Sequence, residues 1–219
     1  MNSKMYSTEF LLGLFGSSHV EQFPYEAFNL LKDFKFTIKP IHISSSPKNI
    51  RAILSQDTVN KAVKYIQSNH IHLDYILILI GANDIGYLSP EKITQGIIYI
   101  ADSFTNINIQ PIIVPIFNRE APSEIPVPLY DSHRNRINRQ LRNHYKRQHL
   151  TRIISLNKLH LDGDGVHLTY SSYRVITKSI AYHIQKSIIY HFTQLPPGIH
   201  INETTGEEIT VDFIYEEIH

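Results

Sequence analysis

The chain contains no cysteine, which removes disulfides, thiolate metal sites and a cysteine nucleophile together. It also lacks any strong charge balance: 21 Lys and Arg stand against 20 Asp and Glu, so no global field calls for a nucleic acid or a membrane. No apolar run approaches the ~20 residues that a membrane-spanning helix needs. The N-terminal FLLGLFG is too short, and too soon followed by SSHVEQ, to form the core of a signal peptide. There is no internal repeat and no low-complexity segment. These absences leave the expectation of a soluble, cytoplasmic protein. With 219 residues, 42% of them apolar, the chain has material for one domain with a sizeable core.

Five apolar runs suit buried strands: 9–16, 34–43, 74–81, 108–117 and 152–157. The third and fourth, DYILILIG and NIQPIIVPIF, are isoleucine-rich and barely alternate. That pattern marks strands covered on both faces, as in parallel sheets. Helical patterns fall between the strands. One covers 24–33 and opens at Pro24; another covers 57–69, with Val59, Val63 and Ile66 on one face behind an Asp57 cap. A third covers 89–105 and opens on Ser89-Pro90-Glu91; two longer ones cover 129–148 and 169–192, the second capped by Thr169. Strand and helix alternate throughout. The expected fold is therefore α/β, a three-layer α/β/α sandwich around a central, mostly parallel, five-stranded sheet. After Phe192 the composition changes. TQLPPG reads as a linker, and the alternating residues around TTGEE read as a β-hairpin. The division is thus 1–192 for the α/β domain and 193–219 for linker and acidic hairpin.

In such a sheet ligands bind beyond the carboxyl ends of the strands, here just after residues 16, 43, 81, 117 and 157. Gly16-Ser17-Ser18-His19 follows the first strand and Gly81-Ala82-Asn83-Asp84 the third. HLDGDGVHLT, with Asp164 and His167, follows the fifth. Each has an ordinary structural reading: a polar turn after a strand, a turn in which Asn caps the next segment, and a Gly-rich turn beside a surface histidine. Together they are a hydroxyl, an amide and an Asp/His pair on one rim. Acyl transfer needs this set: a nucleophile, a base, a carboxylate to orient it, and donors for the oxyanion.

Over roughly residues 9–190 the chain resembles the SGNH/GDSL hydrolase superfamily, whose fold is flavodoxin-like. The family's Gly-Asp-Ser block corresponds to Gly16-Ser17-Ser18, its Gly-x-Asn-Asp block to Gly81–Asp84, and its Asp-x-x-His block to Asp164–His167. The resemblance implies that Ser18 is the nucleophile, His167 the general base and Asp164 the carboxylate that orients it. It also implies an oxyanion hole built from the Asn83 amide and the Ser18 backbone N–H. Two positions depart from the pattern. Ser17 stands where the family has Asp, and ISSSPKN after the second strand lacks the usual Gly. There the N–H of Ser45 or Ser46 takes that place, since every residue but proline has one. The Gly-x-Ser-x-Gly elbow of α/β-hydrolases is absent. The implied activity is cleavage of carboxylic esters, acyl or acetyl, without a cofactor. Candidate substrates include small acyl esters and lipids. Phe23, Tyr25, Phe117, Tyr130 and Tyr170 fall near the rim as candidate pocket residues.

Two further features bear on partners. His160, Asp162, Asp164 and His167 crowd together, but H-E-x-x-H spacing is missing and the glycines make a loop, so no metal is expected. From Arg134 to Arg152 lie six arginines and Lys146 without an acid. The simplest reading is a solvated helix face. Arg134, Arg142 and Lys146, with Asn138, can also share a stripe at four-residue spacing that meets RNA or anionic lipid. RNRINRQL resembles the corresponding helix in SGNH domains of some animal retroelements. The alternative to an esterase is accordingly a module of the same fold, weak or inactive in catalysis, that binds RNA or another polyanion through this helix. The acidic tail suggests pairing with the basic helix, within one chain or in a homo-oligomer.

Overall fold

The computed structural model describes residues 8–43, 56–120, 122, 124–146, 153–154, 159–193, 198–201 and 208–211. The chain divides into two units, Met1–Ala181 and Tyr182–His219. In the first, strands β1 (Thr8–Gly16), β2 (Phe36–His42), β3 (Tyr75–Leu79) and β4 (Gln110–Ile113) form a parallel sheet in the order β2-β1-β3-β4. The short helix α1 (Ser18–Glu21) and a 3-10 segment (Tyr25–Leu30) connect β1 to β2. Helix α2 (Gln56–Ser68) precedes β3, α3 (Pro90–Thr105) joins β3 to β4, and α4 (Val127–Tyr145) follows β4. The last helix is α5 (Tyr170–Thr193). Ile153 bridges Ile113 in parallel, so the fifth apolar segment runs beside β4 where it is described. Residues 152 and 155–157 of the expected fifth strand lie outside the described residues.

Every residue of β3 is buried, as its unbroken apolar sequence demands. Its side chains divide by the two-residue period of a strand. Ile76 and Ile78 join a core with Val59, Ala62 and Ile66 of α2, Ile93, Ile97 and Phe104 of α3, and Ile137 and Leu141 of α4. Leu77 and Leu79 face the opposite layer, where Phe23 packs edge-on against Tyr173 of α5 at 5.1 Å. Burying each such Ile, Leu or Phe stabilises the fold by ~1.5–3 kcal/mol. From β1 the chain steps to one side of the sheet, and from β3 it steps to the other. The carboxyl ends of these two central strands therefore flank the topological switch point, where open α/β sheets hold their ligands.

Four sequence expectations shift in detail. Segment 24–33 is a 3-10 turn with Pro24 at its cap, held by i to i+3 bonds such as Ala27 N–H to Pro24 O at 2.9 Å. Asp57 lies inside the first turn of α2 and pairs with Lys61 at 2.7 Å. The fourth strand stops at Ile113, four residues early. Pro115 has no N–H for the ladder, and Ile116 gives both backbone groups to the Asn138 side chain at 2.9 and 2.7 Å. Helix α4 starts at Val127, two residues earlier than expected, with proline in its first turn. Ser89 and Thr169 cap as expected, accepting from the N–H of Lys92 and Ser172. In the second unit β5 (Gly198–Ile201) and β6 (Glu208–Val211) pair antiparallel. Residues 202–207 of the expected hairpin turn and the acids beyond residue 211 lie outside the described residues. Among the described residues no helix is long and apolar enough to cross a membrane.

Candidate active site

The ends of β1 and β3 and the loop that carries Asp164 and His167 meet on one rim. At the end of β1 the backbones of β1 and β3 come so close that a Cβ on Gly16 would lie 2.3 Å from the Leu79 carbonyl oxygen. Only glycine fits there. The next residue, Ser17, is buried; its N–H donates to Leu79 O at 3.2 Å and its carbonyl accepts from Val20 N–H at 2.8 Å. It ties the turn to the sheet. Ser18, the first residue of α1, is half-buried and turns its Oγ to His167 Nε2 at 3.4 Å.

The partner histidine comes from a loop 149 residues away in sequence. That loop is closed by its own backbone. Asp162 N–H donates to His167 O at 2.7 Å, and Gly165 N–H donates to Asp162 O at 2.9 Å. Gly165 supplies the left-handed φ of +66° that the reversal needs. The turn folds the Asp164 carboxylate back under His167. One oxygen accepts the N–H groups of Val166 and His167 at 2.9 and 2.8 Å, and the other meets His167 Nδ1. The His167 ring bond and these two N–H groups hold the Asp164 carboxyl well below the usual carboxylate range. The side chain of Asp162, two residues earlier, accepts from Gly163 N–H at 2.8 Å, and among the described residues it makes no hydrogen bond to the ring. Of the four residues considered for a metal, Asp164 and His167 serve each other. Among the described residues no group of three His, Asp or Glu side chains is arranged to hold a metal ion.

Beyond β3, Gly81 adopts φ +103°, and a Cβ there would meet Ile116 Cδ1 at 2.7 Å. The turn it starts, Ala82–Asp84, presents Asn83. The Asn83 side chain does not cap the next helix, which Ser89 does. Its Oδ1 accepts from Nη2 of Arg119. The structure thus brings Ser18, His167 and Asp164 into one relay and sets Asn83 at the end of the adjacent strand. Ser45 and Ser46 lie outside the described residues.

Two residues of this neighbourhood carry no motif. Arg119 follows β4 and is 8% exposed, with Nε lacking a partner among the described residues. The next residue anchors its segment: Glu120 N–H donates to Gly165 O at 2.9 Å, within the Asp164 loop. His19 is 1% exposed and packs edge-on against His167 at 5.2 Å and Phe117 at 4.9 Å. Neither ring nitrogen has a partner among the described residues. Burial first, then the Arg119 charge, lowers its pKa to about 3, so the ring stays neutral. The strand-end rule marked the position after 117, but an arginine in FNRE has no spacing signature. His19 stood in the first motif and reads there as one more polar turn residue.

The other candidates divide. Tyr25 and Tyr170 are exposed, Phe23 and Phe117 are buried, and Tyr130 is inside the core with its hydroxyl donating to Phe117 O at 3.2 Å. Tyr130 therefore lines no open pocket. The four-residue stripe on α4 is corrected by Asn138, which faces inward to Ile116. Arg134 is partly buried and pairs with Asp131 at 2.9 Å, and Arg136 pairs with Glu91 of α3 at 2.7 Å. Acids missing from the segment itself are supplied by its neighbours. Arg142 and Lys146 are exposed.

No family model matches the chain, and no curated protein matches it by sequence. Solved structures do resemble it. A protein from Slackia heliotrinireducens assigned to the SGNH hydrolases has a TM-score of 0.54 at 14% identity, over 81% of this chain and 99% of its own. A GDSL-like lipase from Bacteroides thetaiotaomicron has a TM-score of 0.54 at 14% identity, over 81% and 88%. A lipase/acylhydrolase from Enterococcus faecalis has a TM-score of 0.52 at 13% identity, over 81% and 96%. At these identities the likeness is one of fold. The chain has the α/β fold of the SGNH/GDSL hydrolases, as its motifs led us to expect.

Proposed function

We propose that the chain is a serine esterase that cleaves carboxylic esters through Ser18, His167 and Asp164. The observation that carries this reading is the continuous relay from Ser18 Oγ to His167 Nε2, and from His167 Nδ1 to Asp164. Residues this far apart in sequence form such a chain of contacts for a reason, and proton transfer is the work it suits. His167 Nε2 takes the Ser18 proton as Oγ attacks the acyl carbon. Asp164 holds the ring in the tautomer that leaves Nε2 free to accept, and stabilises the imidazolium that forms. The 3.4 Å separation is loose for a hydrogen bond, and such contacts tighten when substrate binds. The tetrahedral oxyanion receives the Ser18 N–H and the Asn83 amide, with the N–H of Ser45 or Ser46 as third donor. His167 then gives its proton to the leaving alkoxide. Water repeats the sequence on the acyl-enzyme and releases the acid.

Fluorophosphonate labelling of the purified protein, with p-nitrophenyl acetate turnover, tests the proposal. Ser18→Ala should abolish both and Ser17→Ala should retain labelling. The reverse pattern, or no Ser18-dependent labelling, refutes it. The second reading, a polyanion-binding module, draws on Arg142 in the last turn of α4 and Lys146 at its C-cap, both exposed and without an ion-pair partner among the described residues. It predicts salt-dependent binding of RNA or anionic vesicles without turnover.

A further inference from the structure

We infer that Arg119 is the positioning residue of the oxyanion hole: its guanidinium holds Asn83 Oδ1 and thereby commits the amide N–H2 edge to substrate. The inference rests on the esterase reading of Ser18 and His167. It starts from a donor inventory. A guanidinium has five N–H donors and no acceptor. Its contact with Asn83 can therefore be made only through the amide oxygen. The flipped amide would set donor against donor. Free amides in a site turn over between the two orientations, and only one of them offers N–H to an oxyanion. Arg119 removes the other.

Three observations set Arg119 apart from a surface arginine that touches Asn83 by chance. It is 8% exposed, so the contact is made where competing water is scarce. Its own segment is fixed: Glu120 N–H is bonded to Gly165 O inside the Asp164 loop, and Phe117 O accepts the Tyr130 hydroxyl. The backbone on both sides of Arg119 is thus anchored, one anchor leading to the loop that carries Asp164 and His167. Finally, no carboxylate neutralises Arg119 in a direct ion pair among the described residues. Asp164 attracts the guanidinium from a distance, while Nη2 of Arg119 sits on the amide oxygen and polarises the N–H bonds that would face developing negative charge. Lysine, a point charge on a flexible stem, would reproduce the donation without the planar fork.

The test is a double-mutant cycle in p-nitrophenyl acetate hydrolysis by the full chain. Asn83→Ala should lower kcat by about 10²–10³, the loss typical of one oxyanion donor. Arg119→Met should lower kcat by about 10–100-fold with KM changed less than ~3-fold, because the contact acts on the transition state. Arg119→Lys should fall between Met and wild type. In the Asn83→Ala background, Arg119→Met should cost less than ~3-fold more, since both changes remove one interaction. Additive losses, or an unchanged kcat in Arg119→Met, overturn the inference. The Asn83 side-chain amide resonances in ¹⁵N NMR, assigned by their loss in Asn83→Ala, read the same contact without turnover. They should shift and broaden in Arg119→Met while backbone resonances distant from the site stay in place; no change overturns the inference. A wild type with no Ser18-dependent turnover would instead overturn the esterase reading, and the amide resonances would still decide whether Arg119 holds Asn83.

Discussion

His19 makes the stability of this fold depend on pH in a way that can be worked out in advance. The ring is almost fully buried, neither nitrogen has a partner among the described residues, and burial lowers its pKa from 6.5 to about 3. The unfolded chain binds a proton on this residue below pH 6.5, while the folded chain does not until about pH 3. Between those values the unfolded state holds more protons, so stability falls as the pH falls. The contribution is fully present above pH 6.5. At about 1.4 kcal/mol per pH unit it is reduced by about 2 kcal/mol at pH 5 and by about 5 kcal/mol well below pH 3. His19→Phe keeps an aromatic ring beside Phe117 and removes the proton site. Urea unfolding of both proteins at pH 8 and pH 5 isolates the effect, because titrations of groups away from His19 cancel in the difference. The variant should gain about 2 kcal/mol relative to wild type on going from pH 8 to pH 5. A difference between the two proteins that does not change with pH would refute the reasoning, since it would mean that the buried ring accepts its proton freely in the folded state.

Asp164→Ala should depress ester turnover by orders of magnitude while Asp162→Ala leaves it within a few-fold, because among the described residues Asp164 is the carboxylate that meets the His167 ring; turnover by the two purified variants checks this. Asn138→Leu should destabilise the fold by about 2–4 kcal/mol, since it leaves the Ile116 N–H and C=O buried without partners, and chemical denaturation reads that loss. Replacing Arg134, Arg142 and Lys146 together by Gln should leave hydrolysis of a small neutral ester intact; if the helix holds a polyanion, RNA or anionic-vesicle binding weakens and its salt slope falls by about one per lost phosphate contact. An unchanged slope identifies the segment as a solvated face.

What was legible in the sequence was what periodicity and backbone chemistry fix. YILIL is apolar at every position because both faces of β3 are covered, and it could be read as a buried parallel strand without any contact being known. Gly16 and Gly81 are required by close approach and by positive φ, so the motifs that contain them announced the two central strand ends. Less visible was where elements stop. The end of β4 depended on Asn138, 22 residues away, capturing the backbone that would have continued the ladder. The same residue shows why the α4 stripe misled: spacing of four places residues on one line, but a polar side chain on that line can face inward if a backbone group there needs it.

The harder lesson lies at the rim. Ser18, Asn83, Asp164 and His167 were legible because each sits in a backbone turn with its own sequence grammar. Arg119 and His19 have none. Their importance comes from burial and from the groups they touch, and both are properties of three-dimensional neighbours. An arginine buried without a direct acidic partner among the described residues and a buried neutral histidine are costly features to retain in a core. Both lie within reach of the relay, His19 against the His167 ring and Arg119 on Asn83. Two expensive polar side chains, both beyond the carboxyl ends of the strands, mark this rim as the part of the molecule organised for something other than packing. Burial and unpaired polar groups thus lead to the same rim as the motifs do.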